Sequence, residues 1–548
     1  MTASSLTSLR MNAKVAVVGG GVSGLSFAYF LSKLRPDVNI TIYEKSNRAG
    51  GWICTEPQPK AGGYFEKGPR TLRGVRSGTL LIVDILRRLG LSNQIQVIPK
   101  SSTVNKKYLL YDGQLVQTPD SALSTLKFLE TGILKGVPLS ILREPFQKST
   151  TKKDQITDES IESFFKRRFG NARLIDNMLS AIIYGVYSGD PSKLSIRSIF
   201  PQLVKFEDDH GSLVRGWFKS RSQAESESVD PETTVLRQYE ESIAPEAGLN
   251  SLKSQLSSFS MLKLKDGLQV LPTAIASYLE SEGVNKNTTT TTIEYGTDIT
   301  AIDPKNLTIT TSKEGVPKKF DHIRSTINSN TLANLIGRNK DTFNLDYATI
   351  FLVNAYSKSA KLINKHGFGF LVPRSTKTPE MLLGTINDSD IEQNSVQLFE
   401  RESLEETETA QPLDSYNKIT FMFGGPHYNR EIPSENIRLR LVRESLTRYL
   451  GIDLSEHRLI ILKPGEKLST PINDSDIVIS YALQQDCIPQ YNVGYEEKKT
   501  NAIKWLNEVS GGKFSLGGMA FAKQVGVPDC VFNAFEDAYS ISGIKDGN

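Results

Sequence analysis

Short apolar runs and helical apolar stripes alternate along the first forty residues. Val15 to Val18 has no polar position, the pattern of a strand buried on both faces. Leu25 to Leu34 carries apolar residues at helical spacing, and Asn39 to Tyr43 returns to a strand pattern. The order predicts a β-α-β unit with parallel strands. Further helices are predicted over Gly78–Leu89, Ile161–Phe169 and Asn177–Ile183, and one opens at Asp266–Pro272. Ser121 to Phe146 reads as an apolar helix pair with Lys127, Lys135 and Arg143 interspersed. Such a pair suits either a core or the plane of an anionic bilayer, and composition alone favours the core.

Strand patterns dominate later. Lys106–Tyr111 precedes the hairpin signal Asp112-Gly113. Glu294–Ile302 and Leu307–Thr310 are rich in Thr and Ile, and Tyr347–Tyr356, Phe368–Val372, Lys418–Phe423 and Ile477–Ala482 predict a second, mostly antiparallel sheet. Phe514–Met519 is a last strand, and Gly526-Val527-Pro528 enters a last helix. A strand returning beside the first one would put both ends of the chain in one discontinuous domain. Residues 219–260, 287–292 and 400–414 are polar and read as an exposed insertion and two loop tips.

At 548 residues the chain has room for several cores. A net charge of +4 gives no reason to expect nucleic acid. Cys54, Cys487 and Cys530 lie far apart, and the five histidines are scattered, so neither a disulfide scaffold nor a metal site is expected. The longest uncharged run, Val15 to Ser32, spans 18 residues, but its glycines place it in the β-α-β unit. Membrane contact is therefore expected to be monotopic. The N-terminal MTASSLTSLRMNAK is hydroxyl-rich and basic and reads as a short disordered leader.

The candidate chemistry sits in the first turn. Gly19, Gly20, Gly21, Val22, Ser23 and Gly24 contain the G-x-G-x-x-G spacing, in which glycines allow a tight turn and close approach to a pyrophosphate at a helix N-terminus. Glu44 ends the second strand, 20 residues after Gly24, where a carboxylate accepts bonds from ribose hydroxyls. Arg48-Ala49-Gly50-Gly51 extends the pattern and resembles FAD-binding flavoprotein oxidases. Gly68-Pro69-Arg70 places a turn and a cation near the expected flavin.

Five segments, FEKGPRTLR (65–73), YGVYSGDPSKLSIRSIFPQL (184–203), GFGFLVP (367–373), FMFGG (421–425) and DCIPQYNVGY (486–495), resemble the protoporphyrinogen oxidase family of the mitochondrial eukaryotic type. The resemblance covers most of the chain outside the polar stretches. It implies an α/β (α+β overall) fold with a Rossmann-like FAD domain of discontinuous segments (13–92, 262–330, 506–548). A mixed or antiparallel substrate sheet (93–118, 331–505), a helical membrane-binding domain (119–218) and the polar insertion (219–261) complete it. It implies non-covalent FAD, oxidation of protoporphyrinogen IX by O2 without a catalytic side chain, and residence on the mitochondrial inner membrane. A homodimer and product hand-over to ferrochelatase also follow from it, and Ser121–Phe146 becomes the expected membrane contact.

Carried over by position, the FAD contacts are Gly19 to Gly24, Glu44, Lys45, Trp52, Gly68, Pro69, Arg70, Thr71, Ile299, Val525, Gly526 and Val527. Phe368, Leu371 and Met422 would line the tetrapyrrole slot. Lys107 stands where the family has a propionate-binding arginine, which keeps the charge but not the bidentate fork, and Lys106 remains an alternative to it. Two other assignments compete. One is an amine oxidase or carotenoid desaturase, with Cys530 as a covalent flavin link, although a small buried role suits that cysteine better. The other is a non-catalytic relative of the GDP-dissociation inhibitor and Rab escort type, against which the intact fingerprint argues.

Overall fold

The computed structural model describes residues 6–147, 158–222, 231–285, 290–337, 342–399 and 416–544. The loop-tip assignment for 400–414 lies outside them. β1 (Lys14–Val18), α1 (Val22–Leu34) and β2 (Asn39–Tyr43) form where the apolar runs place them. They belong to a five-stranded parallel sheet in the order Thr291–Glu294, β2, β1, His322–Ser325, Phe514–Leu516. Val15 and Val17 face α1 and the C-terminal helix Val527–Ser542, while Ala16 and Val18 face Leu332 and Phe514. Burial on both sides is why the run has no polar member.

The sequence expectations need four corrections here. The far-end strand lies one place from β1, because β2 and His322–Ser325 already occupy both of its edges. Glu294–Ile302 is two strands, since the turn at Gly296 (φ +57°) separates Thr291–Glu294 from Ile299–Asp303. That also moves Thr291 and Thr292 from a loop tip into the sheet. Of the supposed insertion 219–261, the described part is mainly two helices, Pro231–Ser242 and Leu249–Leu256, followed by the strand Phe259–Leu264. Their Leu236, Tyr239, Leu249, Leu252 and Leu256 join the same core as α1. Finally, the leader is held from Leu6 onward: Leu6 and Leu9 pack on that core, and the Leu9 N–H donates to Ile541 O at 2.9 Å.

The second sheet has eight strands. β3 (Lys107–Tyr111) pairs with Gln114–Gln117 through the Asp112-Gly113 hairpin, both turn residues having positive φ. The others in chain order are β4 (Tyr347–Ser357), β5 (Gly369–Leu371), β6 (Leu382–Ile386), β7 (Asn417–Gly424), Leu459–Leu462 and β8 (Ile477–Pro489). Across the sheet they run Leu459–Leu462, β8, β4, β7, β6, β5, β3, Gln114–Gln117. Two of its pairings, β5 with β3 and Leu459–Leu462 with β8, are parallel and the rest antiparallel. One face, including Val353, Phe370, Phe421 and Phe423, packs on Val442 and Leu446 of the helix Glu435–Leu450. The alternate positions form the opposite face.

A helical layer covers part of that opposite face. It includes α2 (Ala122–Glu130), α3 (Val137–Arg143), α4 (Ser180–Tyr187) and α5 (Leu213–Ser222). Phe128, Ile133 and Ala181 pack with Leu109 of β3, whereas Leu126, Leu129, Leu139, Ile141, Leu142 and Phe146 remain exposed. Glu144 locks the layer together. Its buried carboxylate accepts from Arg168 Nε at 2.8 Å, Ser212 Oγ at 2.6 Å and the Leu213 N–H at 2.9 Å, so it also caps the N-terminus of α5.

Candidate active site

The turn after β1 is built on close backbone packing. Gly19 has φ +104°, and a Cβ on Gly24 would collide with the Gly19 carbonyl. Gly21 bridges to Gly50, and the Gly50 N–H donates to Gly20 O at 2.9 Å. Arg48 fixes the second loop through Ile53 O at 2.9 Å and Gly51 O at 2.6 Å. α1 begins at Gly21 with no side-chain cap, and the C-terminal helix begins the same way at Gly526. Two uncapped helix N-termini and a glycine-lined cradle suit an anion such as a pyrophosphate. Ser23 Oγ accepts from the Gly518 N–H at 3.0 Å, joining the first motif to the last.

The other proposed cofactor residues surround this cradle unevenly. Glu44 Oε2 accepts from the Gly20 N–H at 2.8 Å, and Oε1 accepts from the Ser46 N–H at 2.8 Å. Lys45 is exposed and pairs with Asp298 at 3.1 Å, one residue before Ile299, which is buried. The Trp52 carbonyl fills the space where Gly68 would carry a Cβ, so those two loops touch. Thr71, Pro69, Val525 and Val527 are half-buried.

Arg70 is buried, and its Nη1 donates to Asp388 Oδ1 at 2.6 Å. Asp388 in turn accepts from Thr420, whose hydroxyl also accepts from Asn354 Nδ2 at 2.7 Å. Lys67 Nζ donates to Asn354 Oδ1 at 2.9 Å and Ser480 Oγ at 2.6 Å. Burial lowers the Lys67 pKa to about 8 and raises that of neighbouring Glu66 to about 7. This network ties the 65–73 segment to the second sheet. Asp388, Asn354 and Ser480 carry no sequence signal of their own, since the residues of the 65–73 segment that they bind lie 287 or more positions away.

Register aligns the slot residues. Leu371 and Met422 both lie opposite Gly384, and Met422 lies opposite Leu352. Gly384, without a side chain, leaves room for Leu371 to lie across it, and α4 comes down on Leu371 at Gly185. Asn354 and Thr420 continue the same face toward the buried network. Phe368 precedes β5, and the Arg73 guanidinium lies 4.5 Å from its ring centroid. β3 alternation places Lys107 on the side of Leu109, which packs with Leu371, while the half-buried Lys106 precedes the strand. Burial and the Arg73 charge lower the Lys107 pKa.

The model of the family described as flavin containing amine oxidoreductase matches residues 22–461. Protoporphyrinogen oxidase of Saccharomyces cerevisiae is 36% identical over 564 residues, spanning 98% of this chain and 99% of its own. The chain belongs to the protoporphyrinogen oxidase family. The Schizosaccharomyces pombe member is 28% identical, covering 97% of this chain and 99% of its own, and the human one 25%, covering 98% and 99%. Among solved structures, a protein of Exiguobacterium sp. 255-15 provisionally named a protoporphyrinogen oxidase matches with TM-score 0.67 at 19% identity, over 97% of this chain and 98% of its own. Reduced UDP-galactopyranose mutase matches with TM-score 0.61 at 13% identity, over 96% and 93%, so the fold is shared widely. As a protoporphyrinogen oxidase family member the chain is a FAD-dependent oxidoreductase. The cradle fits that cofactor, having uncapped helix ends where phosphates need donors and glycines where a side chain would intrude.

Proposed function

We propose that the chain oxidises protoporphyrinogen IX to protoporphyrin IX, consuming three O2 and releasing three H2O2. The whole-chain similarity to the yeast enzyme carries this reading. When bound, FAD supplies the two-electron acceptor that is reoxidised by oxygen. Gly19 to Gly24, Glu44 and the Gly526 helix end hold its phosphate and ribose half, with Lys45, Trp52, Gly68-Pro69-Arg70-Thr71, Ile299, Val525 and Val527 as further contacts. Leu371, Gly384 and Met422 give a flat, apolar floor that orients the macrocycle and keeps water from it. Lys107 anchors a propionate. No side chain acts as a strong base, and the pyrrole proton leaves to solvent or product.

We further assign the exposed face of α2 and α3 to a membrane surface, peripheral and on one leaflet. Leu142 is 71% and Phe146 83% exposed, and Lys127, Lys135 and Arg143 are exposed among them. Among the described residues no helix is long and apolar enough to cross a membrane. A tobacco relative, 28% identical over 408 residues, is named mitochondrial, which supports placing this chain at the mitochondrial inner membrane. A homodimer and product transfer to ferrochelatase belong to the same proposal.

Anaerobic mixing of the FAD-loaded protein with protoporphyrinogen IX should bleach the flavin absorbance, and oxygen should restore it. Loaded protein that does not bleach would refute the assignment.

A further inference from the structure

We infer that Lys67 is a positioning residue for the proposed cofactor contact Arg70, which it orients through a one-way chain of hydrogen bonds across the second sheet. This deepens the cofactor reading above and rests on its placing of Arg70 at the flavin.

Every link of the chain is buried. Lys67 Nζ donates to Asn354 Oδ1 at 2.9 Å. The other end of that amide, Nδ2, donates to Thr420 Oγ1 at 2.7 Å and to the Glu66 carbonyl at 3.2 Å. Thr420 has then accepted, and its own proton goes to Asp388 Oδ2 at 2.5 Å. Asp388 Oδ1 takes the last bond, from Arg70 Nη1 at 2.6 Å. An ammonium and a guanidinium only donate, whereas a carboxylate only accepts. The donors at the two ends therefore fix the direction of every bond between them, and both directions converge on Asp388.

Register places this chain beside the slot. Asn354 lies opposite Ser480 on one side and Thr420 on the other, two positions along their strands from Leu352, Ala482 and Met422. The polar row thus borders the apolar row on one face of the sheet. Arg70 comes from the cofactor side, two residues after Gly68, where the Trp52 carbonyl makes its contact. Among the described residues Asp388 is the only hydrogen-bond partner of the Arg70 side chain, and Arg70 is 9% exposed. The rest of its N–H fork is left for a group bound beside it.

The Lys67 ammonium is not needed to hold its own segment. The Lys67 N–H donates to Cys54 O at 2.8 Å, and Gln484 Nε2 donates to Lys67 O at 2.8 Å. Beyond Asn354 the ammonium reaches Ser480 Oγ at 2.6 Å and Glu56 at 3.6 Å. Burying a charge costs free energy even when it is paired. What this charge supplies is order: with it Asn354, Thr420 and Asp388 have a single arrangement, and so does Arg70. Without it Asn354 Oδ1 loses its charged donor, and the chain loosens link by link as far as the guanidinium.

The test uses the FAD-loaded protein as wild type, Lys67→Met, Thr420→Val, the double variant of these two, and Arg70→Gln. The midpoint potential of the bound flavin is measured by dye equilibration, beside urea unfolding. A guanidinium held at a flavin favours its reduced, more negative form, so Arg70→Gln should lower the potential. Lys67→Met should lower it by about 30 mV, a tenfold loss of preference for the reduced form. Thr420 is not a partner of Lys67, yet Thr420→Val cuts the chain and should give a similar fall, and the double variant should add nothing to it. An unchanged potential in Lys67→Met would overturn the inference, whatever its urea midpoint. Additive shifts would overturn it too, because Lys67 would then act on the flavin without the chain. If Lys67→Met does not retain flavin, Thr420→Val decides alone, a fall of the same size supporting the chain and a wild-type potential overturning it. A wild-type potential in Arg70→Gln would instead overturn the placing of Arg70 at the flavin.

Discussion

His322 lies fully buried in the parallel sheet, its Nε2 2.9 Å from Ser515 Oγ and its Nδ1 without a partner. Burial, and after it the charge of Arg324, lowers its pKa to about 3. Below pH ~6.5 the unfolded chain takes up a proton that the folded chain refuses, so stability falls as pH drops from about 6.5 towards 3. At pH 5 the loss from this one group is about 2 kcal/mol relative to pH 7. Urea unfolding at both pH values should show that drop in wild type and a smaller one in His322→Gln. Equal drops would remove His322 from the acid response. Single residues were legible where their chemistry is local. The glycine spacing and Glu44 could be read because the turn they build closes within thirty residues. Asp388 and Gly384 could not, because their meaning comes from strands that meet only in the folded sheet.

At the scale of elements, the helix pair of 121–146 shows how one pattern serves two surroundings. Phe128, Ile133 and Val137 face inward, while Leu126, Leu142 and Phe146 face out. Periodicity alone does not say what covers the second face. The opposite failure occurred at 231–256, where a narrow apolar stripe of Leu236, Tyr239, Leu249, Leu252 and Leu256 is diluted by serines and charges. A surface helix needs no more than such a stripe to dock, and composition hid it. α5 adds Trp217 and Phe218 to the exposed apolar set, and it packs on the 144–146 turn that Glu144 anchors. Each large apolar side chain moved from water into lipid is worth about 1.5–3 kcal/mol. Leu142→Gln with Phe146→Ser should therefore weaken sedimentation with anionic vesicles at least tenfold, without changing flavin content. Undiminished sedimentation would return this face to some other partner.

Across the whole molecule, the cofactor cradle depends on both ends of the chain. α1 packs against the C-terminal helix, with Phe27, Phe30 and Leu31 in one core with Val531, Phe535 and Ala538. Ending the chain after Gly512 removes Phe514–Leu516, the Gly518 bond to Ser23 and the Gly526 helix end together. Such a protein should hold no FAD, measured as flavin absorbance per protein after desalting. Stoichiometric flavin in it would show that the first motif suffices. The general plan was readable from the sequence, as a glycine-rich opening, a strand-rich middle and a glycine-rich close. The neighbour order within the parallel sheet was not, since apolar runs do not say which edges are taken.

The same sheet has a consequence in time. Its strands come from residues 14–18, 39–43, 291–294, 322–325 and 514–516. At a synthesis rate of about 5–20 residues per second, the last strand emerges roughly half a minute to two minutes after the first. By then β1 already has both of its neighbours, β2 and His322–Ser325, but the Gly518 N–H that binds Ser23 and the Gly526 helix end are still missing from the cradle. Flavin capture is therefore a late, post-synthetic event. A cell short of FAD would accumulate full-length, nearly folded chains waiting on a cofactor, not truncated or aborted ones.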